Sequence, residues 1–347
     1  MQAPGIATKA FYLATSMHHE AVVLFFVVSG FLIGGPVWEQ IGHGTFQPKR
    51  YLLNRFTRIY IVLVPALLLM LVLQGAGVLL SGTRLMDVRP LQPIGITAGF
   101  TWDQFACHLA ALPAIACAPW GANPPLWSFG YEWALYLLAP ITIAAWRLPS
   151  RMIVSAALSG ALAILVVMTM PAGWPLWFGA WAVGVVAHRI LATGTVPTAA
   201  GLAGLAACVG AMISSRTGQL PILATDVAIA IGLALAISCK SIVRLSIAPK
   251  AMHAGAGFSY SLYLIHLPVA VAVGAFLEKL GWPSVLSQPG VGTYSAFAIT
   301  IFVTMASAWT FSRVTEANTE AVRDWIARRD PRTRTALRTA SPPPTPF

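Results

Sequence analysis

The sequence predicts an all-α protein, a polytopic bundle of about nine transmembrane helices. Of its 347 residues, 57% are hydrophobic and only 10% are charged, and the mean hydropathy is +0.73. Soluble domains carry about 25% charged residues, so this composition excludes an ordinary water-soluble fold. The net charge of +11 does not indicate a nucleic-acid partner, because the basic residues lie mainly between the apolar segments; the predicted partner is the lipid bilayer.

Nine apolar segments are long enough to cross a membrane, which takes about 20 residues of helix. The segment 152–188 is twice that length and is divided by Pro171, Gly173 and Pro175 into two helices joined by a hairpin. The Pro-rich interval 82–125 is predicted to be a loop. The predicted spans are 21–38, 59–83, 126–146, two within 152–188, 190–215, 220–239, 251–277 and 280–312.

The distribution of Lys and Arg predicts the orientation, because basic residues stay on the cytoplasmic side. With the loop 82–125 outside, 17 of the 22 basic residues lie inside. The five outside are Lys9, Arg84, Arg89, Arg216 and Lys279. We therefore expect an outer N-terminus, a transmembrane domain over 1–315, and a basic, Pro-ending cytoplasmic tail over 316–347.

Ionisable groups inside apolar segments mark candidate functional positions, since a central charge costs roughly 2.5–3.5 kcal/mol to insert. His19, flanked by His18 and Glu20, precedes the first span. It is either a hydrated interfacial cap or a base that takes a proton from an alcohol. Glu132 lies about two turns into an aromatic helix, which favours function over structure. Asp226 is interpreted as interfacial and is not included in the predicted site.

Two further patterns admit two interpretations each. Arg50, Arg55 and Arg58 are either the ordinary inner-side signal or a dock for phosphate, which Arg binds bidentately. Tyr263 and His266 share a helix face and either hydrogen-bond between helices or line a substrate cavity. No Cys and His spacing typical of a metal site is present, so no metal is expected. Cys107 and Cys117 could pair in an oxidising compartment, or remain free.

Four segments, in order, resemble the acyltransferase 3 family of integral-membrane O-acyltransferases, which includes sugar and O-antigen acetylases. They are Phe-Phe-Val-Val-Ser-Gly-Phe-Leu-Ile at 25–33, the basic run 50–65, Leu-Trp-Ser with Glu132 at 126–132, and Phe-Ser-Tyr-Ser-Leu-Tyr-Leu-Ile-His at 258–266. The resemblance covers about 15–315.

The resemblance implies transfer of an acyl group, most simply acetyl, from acyl-CoA to a carbohydrate or glycan-lipid hydroxyl, in the bacterial inner membrane. Acetyl-CoA or another acyl-CoA would be the donor. The implied donor-binding residues are Arg50, Arg55 and Arg58. The implied catalytic residues are His19, Glu132, Tyr263 and His266.

One departure concerns the N-terminus. Family members usually begin with an additional helix that carries a basic residue and an essential His, and we expect this chain to lack that helix. Lys9 and His19 could then stand in for the pair; otherwise the chain is a fragment, has a misassigned start, or lacks the usual base, and its activity depends on which of these holds. The alternatives are a proton-coupled transporter or flippase, and a catalytically inactive relative.

Overall fold

A computed structural model describes residues 6–81, 101–119, 123–147, 174–218, 220–245, 255–283 and 290–329. Thirteen α-helices and no β-strand occur within these ranges. The helices are α1 (Ile6–Thr15), α2 (His18–Ser29), α3 (Gly35–Gly42), α4 (Pro48–Ser81), α5 (Trp102–Leu109), α6 (Leu126–Arg147), α7 (Trp174–Thr193), α8 (Thr198–Thr217), α9 (Ile222–Ile237), α10 (Lys240–Leu245), α11 (Ser259–Lys279), α12 (Val291–Val314) and α13 (Thr319–Arg329).

Six helical segments of the described chain are long and apolar enough to cross a membrane, which confirms the all-α transmembrane class. They are Phe11–Gly42, Pro48–Leu73, Pro175–Thr193, Thr198–Thr217, Ser259–Lys279 and Val291–Arg329. Helices α6 and α9 match two further predicted spans, although α9 has only 16 residues. The predicted span near 152–170 lies outside the described residues, as do the loop residues 82–100 and 120–122 and the tail 330–347.

Several helix boundaries differ from those the sequence predicted. Helix α4 begins at Pro48, so Arg50, Arg55 and Arg58 lie within the helix that enters the membrane. Helix α7 ends at Thr193 because Gly194 adopts a left-handed conformation (φ +68°), which glycine tolerates and which ends a helix. The last span begins at Val291 rather than near residue 280.

The chain forms two compact units. Unit 1 contains residues 1–46 and 128–248, and unit 2 contains residues 47–127 and 249–347.

In unit 1, α2 packs parallel to α7 at very short range. A Cβ built on Gly30 would overlap the carbonyl of Trp181, and one built on Gly184 would overlap the carbonyl of Val27. Small residues allow such close backbone approach between membrane helices. A π-helical turn, Gly30–Gly34, joins α2 to α3 at this contact. The Ser-Gly part of the first motif is therefore a packing element.

In unit 2, α11 packs against α4 and α12. Glu316, in the short 3₁₀ turn after α12, accepts hydrogen bonds from the backbone N–H and the hydroxyl of Ser261, both at 3.0 Å. This carboxylate satisfies donors in the first turn of α11, where no helical carbonyl is available. Helix α13 packs on α4, and its Ala327 is buried.

The loop before α6 contains a disulfide between Cys107 and Cys117, which answers the question that the sequence left open. His108 is buried beside this bond and donates from Nδ1 to the carbonyl of Gln104 at 2.8 Å. Cys208 and Cys239 are free and buried.

Candidate active site

His19 is hydrogen-bonded to Asp226, which lies 207 positions later in the sequence. The first turn of α2 carries His19, and the first turns of α9 carry Asp226. The imidazole Nε2 lies 2.9 Å from Oδ2 and 3.0 Å from Oδ1. A carboxylate only accepts hydrogen bonds, so Nε2 carries the proton and Nδ1 of the neutral ring keeps its lone pair. Nδ1 is therefore the ring nitrogen that can accept a proton.

The two partners differ in their access to solvent. The side chain of Asp226 is 2% exposed, whereas that of His19 is 32% exposed. The Trp177 ring packs edge-on against His19, with the ring centroids 5.5 Å apart, and it also contacts Phe26. The carboxylate is therefore shielded, while the imidazole can still meet a substrate.

Glu20, the next residue, makes an ion pair with Arg216. Its buried carboxylate accepts hydrogen bonds from the hydroxyl of Ser215, at 2.6 Å, and from the guanidinium of Arg216, both near the end of α8. Adjacent residues of α2 thus bind two different helices: His19 binds α9 and Glu20 binds α8. These two contacts fix the position and rotation of the first turn of α2.

Glu132 lies in α6 of unit 1 and is 6% exposed. The hydroxyl of Tyr136, one turn later, donates a hydrogen bond to its Oε1. Buried carboxylates need partners of this kind. The carboxylate that contacts His19 is Asp226, so Glu132 is a separate acidic position in the same unit.

Tyr263 and His266 lie on α11 of unit 2, and each makes a specific backbone contact. The Tyr263 hydroxyl donates to the carbonyl of Pro125. His266 Nδ1 lies 2.8 Å from the carbonyl of Tyr263 and 3.2 Å from that of Leu262. Because carbonyls accept, Nδ1 carries the proton, and neutral His266 presents Nε2 as an acceptor. It can donate to an oxyanion only when it is protonated.

The three arginines of the predicted phosphate dock lie along the first turns of α4 in unit 2. Arg58 is exposed, and Arg50 and Arg55 are half-buried. The Arg55 guanidinium lies 5.6 Å from the centre of the Tyr51 ring. Within the described parts of the chain, neither Arg50 nor Arg58 has an acidic partner within 4.0 Å.

The predicted site residues thus divide between the two units. Unit 1 holds His19 and Glu132, and unit 2 holds Tyr263, His266 and the three arginines. Asp226, interpreted from the sequence as interfacial and not included in the predicted site, is 1% exposed and hydrogen-bonded to His19, so the structure adds it to the candidate site. The signal available in the sequence was an acid inside an otherwise apolar segment. No group of three or more potential metal ligands occurs among the described residues.

The all-α fold with several apolar helices long enough to cross a membrane defines an integral-membrane class. Residues 2–313 match the family model Acyl_transf_3, described as an acyltransferase domain. The chain belongs to the acyltransferase 3 family, and its general activity is that of a membrane acyltransferase. No curated protein and no solved structure matches the chain significantly.

Proposed function

We propose that the protein transfers an acyl group, most simply acetyl, from acyl-CoA to a hydroxyl of a carbohydrate or cell-envelope glycan in the bacterial inner membrane. The observation that carries this proposal is the pair formed by His19 and Asp226. The shielded carboxylate of Asp226 accepts a hydrogen bond from Nε2 of His19, which leaves Nδ1 of His19 available. About a third of the His19 side chain is exposed. A His oriented in this way suits general base catalysis on an alcohol.

In the proposed reaction, His19 Nδ1 takes the proton of the acceptor hydroxyl while the oxygen attacks the thioester carbonyl. Asp226 stabilises the imidazolium that forms. The tetrahedral oxyanion collapses, the carbon–sulfur bond breaks, and the thiolate of CoA takes the proton from His19. Protonated His266 is the proposed donor to the oxyanion, and Tyr263 is proposed to join it only after its hydroxyl leaves the carbonyl of Pro125. Glu132 is proposed to relay protons.

Arg58, with Arg50 and Arg55, is proposed to bind the phosphates of the donor. Arg forks match phosphate oxygens bidentately. The exposure of Arg58 supports this proposal, because an exposed guanidinium is accessible to an anionic ligand. In the proposed topology these residues and the C-terminus are cytoplasmic, whereas His19 precedes the first span on the outer side. The proposal therefore requires the acyl group of the donor to cross the bilayer through the helix bundle before it reaches the acceptor. Reporter fusions that place residue 58 on the opposite face would contradict this orientation.

The proposal is tested with the purified chain in nanodiscs, labelled acetyl-CoA and mixed glycan acceptors. His19→Gln should abolish transfer. His18→Gln is the matched control, because the exposed neighbouring ring contacts only the carbonyl of Ser16, at 3.0 Å, in the described structure. Equal activity of the two variants would refute the assignment of the base. A wild-type chain that transfers nothing would favour the inactive relative or the transporter.

The donor site is tested separately. Arg58→Ala should raise KM for acetyl-CoA more than it lowers kcat, since it removes binding shared by ground state and transition state. Lys49→Ala, which removes an exposed cation from the same helix, is the control for nonspecific electrostatic attraction. Unchanged turnover in both Arg58→Ala and Glu132→Gln would contradict these site assignments.

A further inference from the structure

A proline in α11 leaves a buried carbonyl without its helical partner. The carbonyl of Leu264 would accept a hydrogen bond from residue 268, four positions later, but Pro268 has no N–H. Leu264 is fully buried, so water cannot replace that donor. This part of α11 therefore requires a donor from elsewhere.

Asn123 supplies that donor. Its Nδ2 lies 2.7 Å from the Leu264 carbonyl and 3.6 Å from the sulfur of Met70, and the residue is fully buried. The other amide atom, Oδ1, is buried without a hydrogen-bond partner in the described structure. The Asn123 amide is thus held through its donor end.

The same stretch of backbone also orients His266. Its Nδ1 is bonded to the carbonyl of Tyr263, the residue directly before Leu264. The Tyr263 side chain in turn donates to Pro125, two positions after Asn123. Two neighbouring residues of α11 are therefore bound to the segment 123–125, and the His266 ring is bonded to one of them.

We propose that Asn123 is a positioning residue for His266. By occupying the carbonyl that Pro268 leaves open, Asn123 fixes the backbone at Tyr263 and Leu264, and this backbone sets the direction of His266 Nε2. The expected effect on turnover rests on the proposed function, in which His266 stabilises the oxyanion. The expected effect on the orientation of the His266 ring is independent of the proposed function.

The test is a cycle of Asn123→Ala, Pro268→Ala and the double variant, with the isosteric Asn123→Asp added. Asn123→Asp replaces the donor by an acceptor facing a carbonyl, so kcat should fall at least about tenfold, as expected when a buried partner is lost, with KM for the donor unchanged. In the Pro268→Ala background the new backbone N–H can bond Leu264. In that background, Asn123→Ala should lower kcat by less than about twofold.

A readout independent of catalysis is the rate at which diethyl pyrocarbonate modifies His266, followed by mass spectrometry with the exposed His43 as internal reference. Asn123→Asp should change this rate severalfold, and Pro268→Ala should make it insensitive to Asn123→Ala. Unchanged modification, or equal effects of Asn123→Ala in both backgrounds, overturns the proposal. If the wild-type chain shows no transfer, the proposed function fails while the modification rates still decide the role of Asn123.

Discussion

Replacing Asp226 by Asn removes the charge beside His19 and keeps the shape of the side chain. Two unit charges about 4 Å apart attract by about 4 kcal/mol at an effective dielectric constant of about 20. Because 32% of the His19 side chain is exposed, solvent weakens this attraction, and we expect a loss of about 2–4 kcal/mol in the transition state. That loss corresponds to a roughly 30- to 1000-fold lower kcat.

The assay follows release of free CoA thiol at saturating acetyl-CoA and acceptor. Asp103→Asn, which removes an exposed acid from α5, is the control and should leave kcat unchanged. Thermal unfolding in detergent separates a catalytic effect from a loss of fold. A folded Asp226→Asn variant with kcat within about threefold of wild type would refute the role of the ion pair, since that change equals less than 1 kcal/mol.

Three further perturbations have expected outcomes. Arg216→Ala leaves the buried carboxylate of Glu20 without its cation, so the free energy of unfolding should fall by about 3 kcal/mol, which lowers the melting temperature in detergent. Arg216→Lys keeps a cation and should lower the melting temperature less. Gly30→Ala places a Cβ against the backbone of α7 and should lower the melting temperature, whereas Gly210→Ala, with open space around it, should not. Burial lowers the pKa of His108 from 6.5, outweighing the raising effect of its bond to a backbone carbonyl. The folded state therefore favours the neutral His108 ring. The stability gained by keeping this ring neutral is fully present above pH 6.5, the unfolded pKa, and is lost as the pH falls through the lower pKa of the folded state. His108→Gln should weaken that acid sensitivity in melting curves.

Local pattern predicts much of the fold, because a membrane helix is defined by its own apolar length and by the glycines and prolines that end it. The boundaries were less accurate where one helix continues past its apolar part. The cationic turns at the start of α4 are helical although they are not apolar. A window of hydropathy cannot detect this, since the backbone hydrogen bonds of a helix do not depend on side-chain polarity.

The site was predicted only in part, because pairing between distant residues leaves no local signal. His19 stood out from its neighbours, but nothing near it in sequence identifies Asp226 as its partner. An acid near the end of a span is compatible with solvent exposure, and only the packing of α2 against α9 excludes it. The same limit applies to Asn123, whose importance depends on a proline 145 positions away.

The close contact between α2 and α7 connects the first motif to His19, although the motif itself lies away from that residue. Gly30 and Gly184 each lie against a carbonyl of the opposite helix, so the two contacts fix both the separation and the register of the pair. Trp177 lies two turns before Gly184 on α7, and its ring meets His19 on α2. An added methyl group at either glycine would separate the helices or shift them along their axes, because backbone atoms cannot move aside as a flexible side chain can. The indole would then move relative to the imidazole. We therefore expect Gly30 and Gly184 to influence the position of His19 through the register of the two helices, although Gly30 lies about 16 Å from it along the helix axis.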